Sequence, residues 1–177
     1  MIETLIDKID DACAKFKQVR KSKIKKFTKL DDWLNKEATI FINETQPLKK
    51  NFPNFKRGEI IKVDFEVNIG TELSHTHFAI VLNNDDTNSN DNITVLPISS
   101  KNGYKRIALG KILKEAIPNT KKYNLYCYGM ITQIKTISKK RIFKEKIKYI
   151  CNSEILDKID KCIINYLTNS KPINISV

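Results

Sequence analysis

The stretch Ile61-Lys62-Val63-Asp64-Phe65-Glu66 decides the fold of this chain. Apolar and charged residues alternate over six positions, the period of a β-strand with one face buried. Downstream, further strands are predicted over 77–83, 93–98, 106–109, 125–132, 136–143 and 146–150. Turn-rich segments lie between them at 67–76, 84–92 and 101–105. Many short strands at close spacing predict a small, strongly bent sheet or barrel rather than a parallel α/β sheet.

Both flanks of this region carry helical periodicity. Ile2, Leu5, Ile6, Ile9, Cys13, Phe16 and Val19 recur at spacings of three and four, as do Phe27, Leu30, Trp33, Leu34, Ala38 and Phe41. These stripes predict helices over 1–45, packed on each other or on a neighbouring subunit. A clamp for RNA or for a partner helix is the functional alternative. Pro47 and Pro53 bracket a polar connection that cannot continue a helix. At the other end, Ser153 is the expected N-cap of a helix with Leu156, Ile159, Ile163, Tyr166 and Leu167 on one face. Pro172 is expected to end regular structure. The fold class is therefore mixed α+β and mainly β: a helical extension over 1–54, then a barrel domain with a C-terminal helix over 55–177.

Composition narrows the function classes. The 177 residues include 32 Lys+Arg against 20 Asp+Glu, for a net charge of +12. Only four of the basic residues are arginine, and the lysine, Asn and Ile abundance fits an AT-rich coding sequence as well as a binding surface. The excess still favours a polyanionic partner, and its largest share falls in 55–143. The longest clean apolar run, Phe78 to Leu82, is too short to span a membrane, and no secretory signal is visible. A soluble cytoplasmic protein is expected. Cys13, Cys127, Cys151 and Cys162 lack paired-ligand spacing, so neither a disulfide framework nor a metal is expected; Cys13 and Cys162 read as small core residues. With five glycines, a phosphate-cradling loop is excluded.

Three segments carry candidate chemistry. His75 and His77 stand where the loop 70–77 enters an apolar strand; on a strand they would share a face. An imidazole, with an ordinary pKa of about 6.5, suits proton transfer at neutral pH. Ser99 and Lys101 emerge from the end of a buried strand, where a hydroxyl and a cation can hold a phosphate. The segment 132–141 mixes Gln133, Thr136 and Ser138 with Lys135, Lys139, Lys140 and Arg141, a composition able to grip a nucleic-acid backbone. Against each stands a plain alternative: surface histidines, an ordinary strand end, a solvated basic turn.

Five blocks together resemble PemK/MazF-type toxins of type II toxin–antitoxin systems. They are 56–65 (Lys-Arg-Gly-Glu-Ile-Ile-Lys-Val-Asp-Phe), Gly70-Thr71-Glu72, 78–85, 93–100 and 133–142. The resemblance spans about 55–168. It implies a compact SH3-like barrel, usually a homodimer, held in check by a cognate antitoxin. It also implies metal-independent, sequence-specific cleavage of single-stranded RNA with no cofactor, in which the 2′-OH attacks the adjacent phosphate to leave 2′,3′-cyclic phosphate and 5′-OH ends. Carried over by position, His77 stands where the family usually has arginine, and Ser99 matches a Thr or Ser at a strand end. Thr71 and Glu72 fall in the RNA-contacting loop, and Gln133 matches a glutamine lining the RNA groove. His77 and Ser99 are thus the expected catalytic pair, with Thr71, Glu72, His75, Lys101, Gln133 and Lys135 expected to bind substrate. A non-catalytic RNA- or protein-binding module, or a CcdB-like toxin acting on a protein, stays open as an alternative.

Overall fold

A computed structural model describes residues 2–45, 53–117, 125–144, 147 and 149–168. The chain forms two compact units. Met1–Leu48 joins with the loop Glu66–His75 in one, and Lys49–Phe65 joins with Thr76–Val177 in the other.

In the first unit, helix α1 (Ile2–Lys21) leads through a 3-10 turn (Lys25–Lys29) into helix α2 (Leu30–Glu44). Arg20 and Lys21 close α1, which suits the helix dipole. Lys15 pairs with Asp11 at 2.5 Å, and Arg20 reaches Asp31 in the first turn of α2 at 3.2 Å. The backbone N–H of Asp31, and then Arg20, hold its carboxyl below the usual range. Leu30 and Trp33 of α2 are buried. The α1 stripe is not: Ile6, Ile9, Cys13 and Phe16 are all exposed in this chain, so the face is not packed within it, which corrects the reading of Cys13 as a core residue.

Among the described residues the second unit carries six strands: β1 (Ile60–Asp64), β2 (Thr76–Val81), β3 (Asn92–Ser99), β4 (Arg106–Gly110), β5 (Cys127–Met130) and β6 (Lys135–Ser138). All pairings are antiparallel, in the order β1-β2-β3-β5-β4 with β6 also on β3. β3 is the hub. Its first half lies between β2 and β6, and Ile98 and Ser99 pair with β5. Beyond β6 the chain returns to β1: Ile142 bridges Val63, Phe143 N–H donates to Lys62 O at 2.9 Å, and Cys151 N–H donates to Gly58 O at 3.0 Å. The sheet thereby closes on itself, the expected small barrel.

Alternation buries both faces of this sheet. Ile60, Ile80, Leu96 and Ile98 face a core completed by Ile107, Leu109, Ile131, helix α3 (Ile112–Ala116) and Ile159 of helix α4 (Ser153–Thr168). Val63, Phe65, Ala79, Val81, Ile93 and Val95, on the other face, are also buried. Gly129 in β5 is required by packing: a Cβ there would meet Leu96 Cδ2 at 2.8 Å. Arg57 ties α4 to the barrel, pairing with Asp160 and donating to Leu82 O.

Several expected boundaries shift. The strand predicted over 125–132 ends at Met130 in a 3-10 turn, and that over 136–143 breaks at a second turn, Lys139–Arg141. Of 146–150, Ile150 makes a single bridge to Glu59, and residues 146 and 148 lie outside the described residues. Pro47 and Pro172 lie outside them too. Asn152, not Ser153, caps α4, its Oδ1 accepting from Ile155 N–H at 3.0 Å.

Candidate active site

His77 sits second in β2, opposite Val63 of β1. Its half-buried ring meets the ring of Phe65 edge-on, with centroids 6.4 Å apart and planes at 67°. Phe65 and Val63 are buried, so the imidazole is backed by an apolar wall.

Ser99 ends β3 opposite Tyr128 of β5, and is half-buried. The β2–β3 ladder runs through Val81–Val95, Ile80–Leu96 and Ala79–Pro97. Pro97 has no N–H, and from Ile98 β3 turns to β5. The ladder ends at Ala79–Pro97; by alternation His77, two residues before Ala79, and Ser99, two residues after Pro97, belong to the face of that pair. Lys135, first in β6, pairs with Val95 and so belongs to that face as well. Gln133 is half-buried at the end of the turn that precedes β6.

The turn after β3 is built by Ser99 itself. Its Oγ accepts the Lys101 backbone N–H at 3.1 Å, and the Lys101 side chain stays exposed. Arg106 Nη1 donates to Lys101 O at 2.5 Å, which fixes a guanidinium beside this turn. The sequence reading passed over Arg106; its signal was a rare arginine opening a strand. A groove of about 230 Å³ lies alongside, lined by Lys105, Arg106, Ile107, Ile131, Cys162 and residues of α4.

The remaining expected residues lie in the first unit, on the loop Glu66–His75. Thr71 and Glu72 are exposed near its tip. His75 does not share a strand with His77: it adopts φ 72° just before β2, and its N–H donates to Glu66 O at 2.6 Å. That left-handed turn breaks the expected two-residue alternation.

One expected cation is removed from the surface. Lys139 is buried, its Nζ 2.8 Å from Asp86 Oδ1 and donating to Pro53 O and Thr87 O at 3.0 and 2.9 Å. It is structural, not a phosphate contact. Burial also raises the thiol pKa of Cys127, and that of Cys151 to about 11, so neither supplies a thiolate at neutral pH. Among the described residues, no three His, Cys, Asp or Glu side chains gather where they could hold a metal ion. No described helix is long and apolar enough to cross a membrane.

A small closed antiparallel barrel, capped by a C-terminal helix and carrying polar groups at the ends of its central strands, defines the class of protein. The PemK-like, MazF-like toxin of type II toxin–antitoxin system family matches residues 56–167, and the chain belongs to that family. Similar solved structures include an endoribonuclease in complex with its cognate antitoxin from a mycobacterial species, at 14% identity and TM-score 0.44, covering 67% of this chain and 97% of that one. MazF from Deinococcus radiodurans is 12% identical with TM-score 0.48, over 65% of this chain and 97% of its own. The Mycobacterium tuberculosis toxin MazF-mt6 is 15% identical with TM-score 0.43, over 60% and 93%. No curated protein matches the chain.

Proposed function

We propose that this toxin is an endoribonuclease that cleaves single-stranded RNA without a cofactor, residues 55–177 forming the toxin domain and 1–54 an extension. One observation supports the reading: by strand alternation His77 and Ser99 belong to the face of the Ala79–Pro97 pair, where the β2–β3 ladder ends, and Lys135 belongs to that face too. In the proposed reaction the ribose 2′-oxygen bonds to phosphorus and its proton passes to the His77 imidazole. The P–O5′ bond breaks, and the leaving 5′-oxygen takes a proton from the imidazolium, leaving a 2′,3′-cyclic phosphate and a 5′-OH. Ser99 hydrogen-bonds the scissile phosphate, and Lys101, His75 and the guanidinium of Arg106 offset its charge. Thr71, Glu72, Gln133 and Lys135 contact the flanking nucleotides.

Arginine, the family's usual residue at this position, stays charged at neutral pH, whereas histidine exchanges a proton there. The substitution therefore moves proton transfer onto residue 77. Membership of a type II toxin family supports a cognate antitoxin as partner, and the same reading includes a homodimer acting in the cytoplasm.

The test is incubation of purified protein with a long single-stranded RNA in excess EDTA, beside His77→Ala. Discrete fragments with 5′-OH ends, lost in the variant, are expected. Intact RNA with folded parent protein across a wide pH range would shift the reading to a binding module or a protein-directed toxin.

A further inference from the structure

The loop between β1 and β2 does not group with the strands it joins. Glu66–His75 belongs to the same compact unit as the N-terminal helices. Lys26, in the 3-10 turn between α1 and α2, accounts for this in part. Its ammonium donates to Asn68 O at 3.1 Å and to Gly70 O at 3.0 Å, and it lies 5.1 Å from the centre of the Phe27 ring.

The loop adds its own ties. Asn68 N–H donates to Ser74 Oγ at 2.9 Å, Asn68 Nδ2 donates to Leu73 O at 2.7 Å, and His75 N–H closes the base on Glu66 O. Glu66, Gly70 and His75 all have positive φ. Ile69, Thr71 and Glu72 stay exposed at the tip, Ile69 at 86%. A short loop with three left-handed residues has many alternative shapes, and two carbonyls held by one ammonium select among them. The chain then runs from His75 straight into β2 and His77.

We infer that Lys26 is a positioning residue: it holds the loop 66–75 in the shape that presents Thr71 and Glu72 to single-stranded RNA. This rests on the ribonuclease reading above. It gives the helical extension a role in substrate binding, exerted through the loop and not through contact with the scissile phosphate. Holding the loop beforehand removes an ordering cost from RNA binding, so its loss falls on KM more than on kcat.

The test compares the full-length parent with Lys26→Met, which keeps the aliphatic stem, and Lys26→Arg, which keeps the donors. Amide hydrogen exchange over 66–75 reads the loop without any need for activity, and initial rates on a single-stranded RNA oligonucleotide read KM and kcat. Lys26→Met is expected to speed exchange in the loop about tenfold while β3 is unchanged. It is expected to raise KM about fivefold with kcat within about twofold, and Lys26→Arg to restore both. Unchanged loop exchange in Lys26→Met would overturn the inference. So would a fall in kcat at constant KM, or failure of arginine to rescue. Faster loop exchange alongside a parent chain that leaves RNA intact would sink the ribonuclease reading and the RNA role of the loop, while the hold of Lys26 on the loop would stand.

Discussion

Lys139 and Asp86 form an ion pair in which neither side chain is exposed, with Nζ 2.8 Å from Oδ1. The pair joins three segments. Asp86 Oδ2 accepts the Phe55 N–H at 2.9 Å, and Lys139 Nζ also reaches Pro53 O and Thr87 O. Entry to the barrel, the β2–β3 loop and the turn after β6 are thus held at one point. Removing one partner strands a buried charge, so Lys139→Met is expected to cost about 3–5 kcal/mol. The double variant Lys139→Met/Asp86→Leu should recover much of that loss. Denaturant midpoints of the two single variants and the double form the cycle that checks it.

The hydroxyl of Ser99 has no packing role that alanine would spoil, since its Lys101 N–H partner is in an exposed turn. Ser99→Ala should change stability by less than about 1 kcal/mol. On the proposed reaction it should lower kcat on single-stranded RNA about 10- to 100-fold, with Ser99→Thr near the parent. Thermal melts and single-turnover rates read the two effects separately.

Cys151 is buried, and its thiol is pushed up to about 11 from an ordinary 9.0, chiefly by burial. The folded state therefore holds this proton more tightly than the unfolded chain. Its contribution to stability is complete below pH 9 and is lost as pH rises through 11, a fall of about 2–3 kcal/mol. Parent stability should drop across that window more than Cys151→Ala stability does. Alkylation of native protein at pH 8 should mark exposed Cys13 and spare Cys127 and Cys151, as peptide mass spectrometry would show.

Gly129→Ala places a methyl 2.8 Å from Leu96 Cδ2, in a core where Leu96 is fully buried. Overpacking of this kind costs about 1–3 kcal/mol. Leu96→Val in the same chain should relieve part of it, and urea midpoints of both variants decide the matter.

Much of the barrel was legible because alternation is a local signal. Ile61, Val63 and Phe65 marked β1, and the apolar run from Phe78 marked β2. What escaped depended on partners distant in sequence. Lys139 read as one solvated lysine among several, and only Asp86, from another loop, turns it inward and breaks the predicted strand 136–143 into a turn. Helix α3, a single short turn of helix, gives too little periodicity to detect. In α1 the stripe was real, yet Ile6, Ile9 and Phe16 are exposed: periodicity names a face without naming what covers it. At the site, His77 and Ser99 came from resemblance and strand-end position, and their shared sheet face needed the register. That His75 shares no strand face with His77 was not legible, because nothing in Ser74-His75-Thr76 announces a left-handed backbone.

The grouping of Glu66–His75 with the first 48 residues makes the two units interleaved, not tandem. No single scission of the chain separates them. A protease cutting near residue 50 would release the helices from their covalent connection but leave a third component of their unit spliced between β1 and β2.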